Sequence, residues 1–184
     1  MAKIIIGLVG PMAGGKEVAK KYISQKYNSK DCKFSNPLRE VVRKFGIEES
    51  RENLQKLSTI LRNGFGEDIL AKAISIEASK LDSDVVIVDG VRRMADIKYL
   101  KELPNFYLIN IDADPKVRYE RMKTRNENAG DKDKTFEQFM IDQNNEADKE
   151  IPIVMAMAKI TIKNEGSLEE LYSQIDNSIS EILK

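Results

Sequence analysis

The sequence predicts an α/β protein with three layers, in which a parallel sheet of about five strands is flanked by helices on both faces. Three observations carry this expectation. Short runs rich in Ile and Val recur along the chain, helical stretches separate them, and the first run ends in a glycine-rich turn. Strands buried on both faces read as continuous apolar runs, and helical crossovers between such strands go with a parallel sheet.

The first strand is expected at residues 3–9, where Ile4-Ile5-Ile6-Gly7-Leu8-Val9 leads into Gly-Pro. That run is too short to span a membrane, and no signal-cleavage pattern follows it. Further strands are expected at 85–88, 106–111 and 159–162, with a shorter one at 32–34. After Lys16, the residues Val18, Ala19, Tyr22 and Ile23 form an apolar stripe at helical spacing. Ser167 and Glu170 make a capping box for a last helix whose apolar face reads Leu168, Leu171, Tyr172, Ile175, Ile179 and Ile182. Thr135 with Gln138 forms a second box, and Asp114-Pro115 a cap followed by proline in the first turn.

Residues 36–81 read as almost wholly helical, too long for an ordinary crossover, so a helical subdomain is expected at the edge of the core. The polar segment 126–134 has no apolar period and reads as a mobile surface loop. Met155 and Met157 read as core filler, and Cys32 as a buried strand residue.

Composition narrows the chemistry. The 184 residues are 41% hydrophobic and 33% charged, ordinary for one soluble globular domain. Thirty basic residues balance thirty acidic ones, so no global field draws the chain to nucleic acid or membrane. One cysteine and no histidine exclude an intrachain disulfide, a Ser-His-Asp triad and a His-ligated zinc or haem. A cytoplasmic setting is expected. Catalysis falls to Lys, Arg, carboxylates, hydroxyls and backbone amides.

Gly10-Pro11-Met12-Ala13-Gly14-Gly15-Lys16 matches G-x-x-x-x-G-K, after an expected strand and before an expected helix. Glycines let backbone N–H groups wrap a phosphate, the helix N-terminus adds positive potential, and Lys16 adds a full charge. Gly10, Met12, Ala13, Gly14, Gly15, Lys16, Glu17 and Val18 are thus the expected ATP-binding residues. The pattern calls for Ser or Thr after the lysine, to put a hydroxyl on magnesium. Here it is Glu17, whose carboxylate either ligates the metal or repels the phosphates.

All nine arginines lie between the second strand and the polar loop, whereas lysines are spread along the whole chain. A guanidinium suits bidentate phosphate recognition. Arg43, Arg51 and Arg118 read as solvated helix-face residues, and Arg62 fits either role.

With the loop placed, the chain resembles the nucleoside monophosphate kinases, the adenylate kinase-like group of the P-loop NTPase fold. Ser35-Asn36-Pro37-Leu38-Arg39 looks like the start of that family's acceptor-binding helices, which implies that Arg39 grips the acceptor phosphate. Asp89-Gly90-Val91-Arg92-Arg93 resembles the family's Asp-Gly-x-x-Arg. This implies that Asp89 orients the metal's water shell and that Arg93 is a second clamp, with Arg62 and Arg92 also on the acceptor side. Arg121-x-x-x-Arg125 resembles the lid arginines, the first over adenine and the second reaching the transferring phosphoryl group. Asn164-Glu165-Gly166 looks like the loop beside the adenine.

The resemblance implies one kinase domain: a core of residues 1–35, 82–125 and 149–184, a helical acceptor-binding insertion at 36–81 and a short lid at 126–148. It also implies ATP as donor, Mg2+ held by Glu17 and Asp89, and catalysis by Lys16, Asp89, Arg121 and Arg125. The partners implied are small nucleotides, with no nucleic acid, membrane or obligate protein partner. The stretch from Leu54 to Gly66 and the pair Lys16-Glu17 look closest to deoxynucleoside monophosphate kinases, which carry Gly-Lys-Asp. Two departures stand: Glu17 is a methylene longer than that Asp, and only Lys132 and Lys134 replace arginines beyond Arg125. The alternatives are a dephospho-CoA kinase, whose aspartate-rich segment is missing from 34–39, and a P-loop ATPase or nucleotide-binding regulatory protein.

Overall fold

A computed structural model of the chain describes residues 4–125, 131–143, 145 and 148–183. Its strands are β1 (Ile4–Val9), β2 (Ser29–Lys33), β3 (Val85–Asp89), β4 (Phe106–Asp112) and β5 (Ile160–Lys163). Its α-helices are α1 (Lys16–Lys26), α2 (Asn36–Lys44), α3 (Arg51–Phe65), α4 (Ile69–Lys80), α5 (Pro115–Arg125), α6 (Phe136–Asp142), α7 (Ile151–Met155) and α8 (Leu168–Ile182). The strands form a five-stranded sheet in the order β2-β3-β1-β4-β5, and every pairing is parallel.

Alternation along β1 feeds two cores. Ile4, Ile6 and Leu8 pack with Val85, Ile87, Ile109 and Ile111 under Ala19 and Ile23 of α1 and Leu171, Ile175 and Ile179 of α8. Ile5 and Val9 point the other way, joining Val86, Val88 and Leu108 beneath Leu70, Ala71, Ile74 and Ala78 of α4 and Leu38 of α2. The central strands β1, β3 and β4 are thus mostly apolar at successive positions because both faces are covered.

Four of the five strands fall where the apolar runs put them, although Lys3 lies outside the described residues. The shorter candidate at 32–34 is displaced: β2 runs from Ser29 to Lys33 and pairs only with β3. As an edge strand it buries Cys32 alone, so its polar residues hid it. Both capping boxes form as expected, at Ser167/Glu170 and Thr135/Gln138. Three side chains differ from expectation. Val18 and Leu168 are exposed although they lie on the predicted stripes, and Met157 is half exposed rather than core filler. Of the segment 126–148 expected as a lid, residues 126–130, 144, 146 and 147 lie outside the described residues.

Candidate phosphate-binding site

From β1 the chain passes to one side of the sheet for β2 and β3, and to the other for β4 and β5. The loop after β1 therefore opens at the carboxyl ends of the strands, in the crevice where ligands of such sheets bind. Its shape depends on glycine at two points. A Cβ on Gly10 would stand 2.1 Å from the carbonyl oxygen of Ile111, so only a glycine lets β1 and β4 approach there. Gly15, with φ of 108°, caps α1, and a Cβ on it would meet Asn164 Nδ2 at 2.0 Å. No side chain caps α1, which leaves the amides of its first turn available to an anion.

Two side chains brace the loop from behind. Asn164, buried after β5, donates from Nδ2 to the Gly14 carbonyl at 2.9 Å, and its Oδ1 faces Arg121 Nη2 at 3.4 Å. Arg118 donates from Nε to Ala113 O at 3.0 Å, and from Nη1 to Gln143 Oε1 at 2.7 Å and Met12 O at 3.3 Å. Arg118 is thus buried and structural, not the solvated residue its helical position predicts. Burial holds its guanidinium below the ordinary arginine range, against the pull of Asp112 and Asp114.

Lys16 folds back over the loop it follows. Its Nζ donates to Gly10 O at 2.6 Å and Pro11 O at 2.9 Å. Burial pushes its pKa down to about 8, and repulsion from Arg92 adds to this, while Asp89 and Asp148 oppose it. The ammonium is held ready by two carbonyls, which are weaker partners than a phosphate dianion.

The loop borders a cavity of about 310 Å³ lined by Met12 to Glu17, Asp89, Arg92, Met122, Arg125 and Asp131. It gathers the loop, Lys16, Glu17, Asp89, Arg92 and Arg125, all singled out from the sequence. Other expected residues stand outside the lining. Gly10 contributes a carbonyl to Lys16, and Val18 is exposed on α1. Arg121 lies behind the loop on Asn164, with its Nη1 buried and unpaired among the described residues.

The arginines expected on the acceptor side each hold a carboxylate. Arg39 Nη1 donates to Glu49 at 2.8 Å, Arg92 to Asp148 at 2.9 Å and Arg93 to Glu67 at 3.1 Å. Arg43, exposed as expected, shares Glu49 with Arg39. Arg62 is buried away from the cavity in an internal pair with Asp96 at 3.1 Å. Asp96 also accepts the backbone N–H groups of Arg92 and Arg93 at 3.0 and 2.9 Å. Arg62 therefore supports the Arg92-Arg93 turn through Asp96 and stands outside the cavity lining.

Sequence reasoning missed Lys20, Asp131 and Asp148. Lys20 is only 5% exposed, and its Nζ donates to Glu17 at 2.6 Å and Asp89 at 2.9 Å, with Asp31 at 3.9 Å. Burial disfavours its charge, but the bonds to Glu17 and Asp89 outweigh that and hold its pKa above the usual lysine value. The available signal was spacing: Lys20 follows Lys16 by four residues and Glu17 by three, which puts all three on one helical face. Asp131, buried at the cavity wall near Lys134, and Asp148 gave no signal within a polar segment.

Glu17 and Asp89 converge on one cation, so their oxygens suit a hard metal. Among the described residues no three His, Cys, Asp or Glu side chains form a ready-made metal cage. Two carboxylates completed by substrate phosphates are the usual magnesium arrangement. No helix among the described residues is long and apolar enough to cross a membrane.

An all-parallel sheet with a glycine-rich phosphate loop between its central strand and α1 defines the P-loop NTPase fold, and the comparisons agree. The family model described as AAA domain matches residues 6–150. The chain belongs to that P-loop family and to the UPF0200 proteins. It is 31% identical to the UPF0200 protein of Methanocaldococcus jannaschii, over 98% of this chain and 91% of that one. It is 32% identical to the UPF0200 protein of Staphylothermus marinus, over 99% and 95%. Among solved structures, shikimate kinase from Bacteroides thetaiotaomicron superposes with a TM-score of 0.60 over 98% of both chains, at 14% identity. That likeness is one of fold.

Proposed function

We propose that the protein is an ATP-dependent phosphotransferase that passes the γ-phosphoryl group to a small acceptor, a nucleoside monophosphate and in particular a deoxynucleoside monophosphate. The observation that carries this reading is the cavity in which Lys16, Glu17 and Asp89 face two arginines, Arg92 and Arg125. A loop and a lysine suffice to hold a nucleotide. Guanidinium groups across the cavity suit a second phosphate and the charge that spreads over the transferring one.

In this reading the loop amides and Lys16 hold the β- and γ-phosphates of the donor. Lys16 exchanges two carbonyls for phosphate oxygens as the nucleotide enters. Glu17 and Asp89 would hold Mg2+, which when bound supplies neutralising charge to the phosphate oxygens. Arg92, Arg93 and Arg39 turn to the acceptor phosphate, and residues 36–81 form the acceptor-binding segment. Arg125 reaches the transferring group, Arg121 and Asn164 border the adenine, and residues 126–148 act as the lid. No general base is needed, because positioning and charge neutralisation dominate phosphoryl transfer.

A second reading, a P-loop ATPase or nucleotide-binding regulator, is favoured by one observation. Arg39 and Arg93 are held by Glu49 and Glu67 and stay out of the cavity lining. The deciding experiment is an ATP turnover screen with ribo- and deoxynucleoside monophosphates, dephospho-CoA, shikimate and no acceptor. Turnover that depends on a monophosphate supports the kinase. ATP consumption that no acceptor changes overturns it in favour of the ATPase.

A further inference from the structure

Resting on the phosphate-loop reading above, we propose that Lys20 is a positioning residue: a built-in counter-cation that holds Glu17 and Asp89 together and keeps divalent metal out of the nucleotide-free site. Both carboxylates lie within hydrogen-bond distance of one Nζ, at 2.6 and 2.9 Å. Both line the cavity that also holds Lys16 and Asp131. A divalent ion bridging them would take the place the ammonium now holds.

The ammonium is not a surface charge that happens to lie close. Lys20 is 5% exposed, and its neighbour Ala19 belongs to the core between α1 and the sheet. Asp31, at 3.9 Å on β2, adds a third negative charge on the same side. Without Lys20, Glu17 and Asp89 on the cavity wall would lose the cation that neutralises them, and their charge would oppose an anionic ligand. With Lys20 in place, Glu17 no longer repels the phosphates, which answers the question raised by a carboxylate after the loop lysine. Glu17 and Asp89 would then take up a metal only when a nucleotide's phosphates add to its ligands, so Lys20 would set the order of arrival.

Lys20 is thus distinct in task from Lys16. Lys16 contacts two backbone carbonyls that a phosphate can replace, whereas Lys20 contacts two side chains that a metal would use.

The test is Mn2+ binding to the nucleotide-free protein, read by the electron paramagnetic resonance signal of free Mn2+, alongside the thermal midpoint with MgCl2 or NaCl at matched ionic strength. Because no nucleotide enters the assay, its outcome is independent of whether the loop binds ATP. The wild type is expected to bind Mn2+ weakly and to show no magnesium-specific rise in midpoint. Lys20→Met should bind Mn2+ at least about tenfold tighter, and Mg2+ should raise its midpoint. Lys20→Arg, which keeps the charge, should behave as the wild type. If Lys20→Met does not fold, Lys20→Gln takes its place. Wild-type protein that binds Mn2+ as tightly as the neutral variants overturns the proposal, and so does a neutral variant that gains no affinity.

Discussion

The loop after β1 and the helical segment 36–81 both carry cationic groups expected to meet phosphate, yet they hold them in opposite ways. In the loop, Lys16 rests on the carbonyls of Gly10 and Pro11, and the backbone beneath is braced by Asn164 and Arg118. In the helical segment and the turn after β3, Arg39 and Arg93 are tied to the carboxylates of Glu49 and Glu67. A carbonyl is a neutral partner that an anion displaces at little cost, whereas a carboxylate competes with the anion for the same guanidinium. On the kinase reading, the expected donor side is therefore preformed and the expected acceptor side self-neutralised. Phe45, Ile47, Ile60 and Phe65 also stand exposed in the helical segment, while the β1 side chains are buried throughout. If the kinase reading holds, the acceptor side rearranges on binding and the donor side does not.

The largest expected effect breaks the preformed side. Lys16→Met should lower turnover by about two to three decades, the scale of losing one charge-stabilising donor, while leaving the protein folded. The same variant carries a signature in stability. Lys16 has its folded pKa pushed down to about 8 from an ordinary 10.5. Between these values the unfolded chain binds more protons than the folded one, so stability rises with pH there. Below pH 8 the buried charge costs its full amount, at most about 3 kcal/mol. Lys16→Met should therefore be more stable than the wild type at pH 7, with the difference shrinking from pH 8 to 10.5. Chemical denaturation of both proteins across that range is the measurement. A gain that does not change with pH would mean that Lys16 is not held as a desolvated cation.

Next in size comes the self-neutralised side. Arg39→Met should raise the acceptor KM by about one to two decades, since a charge-assisted bond contributes roughly 1.5–3 kcal/mol. ATP affinity should hold. Steady-state kinetics with each substrate varied in turn decides this. A loss of ATP affinity at unchanged acceptor KM would move Arg39 to the donor side and dissolve the contrast between the two regions.

How much of this was legible follows from which forces act locally. β1, the loop and the start of α1 were readable because an apolar run, glycines and a lysine at fixed spacing are all local signals. β2 was legible only at its end, where the run expected at 32–34 overlaps it, because an edge strand with one buried side chain, Cys32, leaves little apolar pattern. The arginines were legible as donors, but their partners were not. Arg93 and Glu67 are 26 residues apart, Arg62 and Asp96 are 34 apart, and only the fold brings them together. Lys20 and Arg118 show the sharper failure. Patterning assigns Lys and Arg to the surface, so a buried cation that satisfies its own site is invisible until its partners are placed.

The smallest effect is also the one that most directly sharpens the comparison. Glu49 accepts from Arg39 Nη1 at 2.8 Å and from Arg43 Nη2 at 3.0 Å, and these bonds hold the Glu49 carboxyl below its ordinary pKa. Arg39 is 40% exposed in this pair, so solvent screens it and the pair holds Arg39 only loosely. Replacing Glu49 by Gln keeps an oxygen acceptor of the same size but removes the competing charge. If Arg39 must leave Glu49 to reach an acceptor phosphate, Glu49→Gln should lower the acceptor KM by about two- to fivefold, opposite in sign to Arg39→Met. The double variant should then match Arg39→Met alone, because Glu49 would act only through Arg39. Arg43 offers the control, since Arg43→Met should leave both KM values near the wild type. An acceptor KM that rises in Glu49→Gln would assign the pair the reverse role, with Glu49 orienting Arg39 rather than holding it back, and the acceptor side would then count as preformed too.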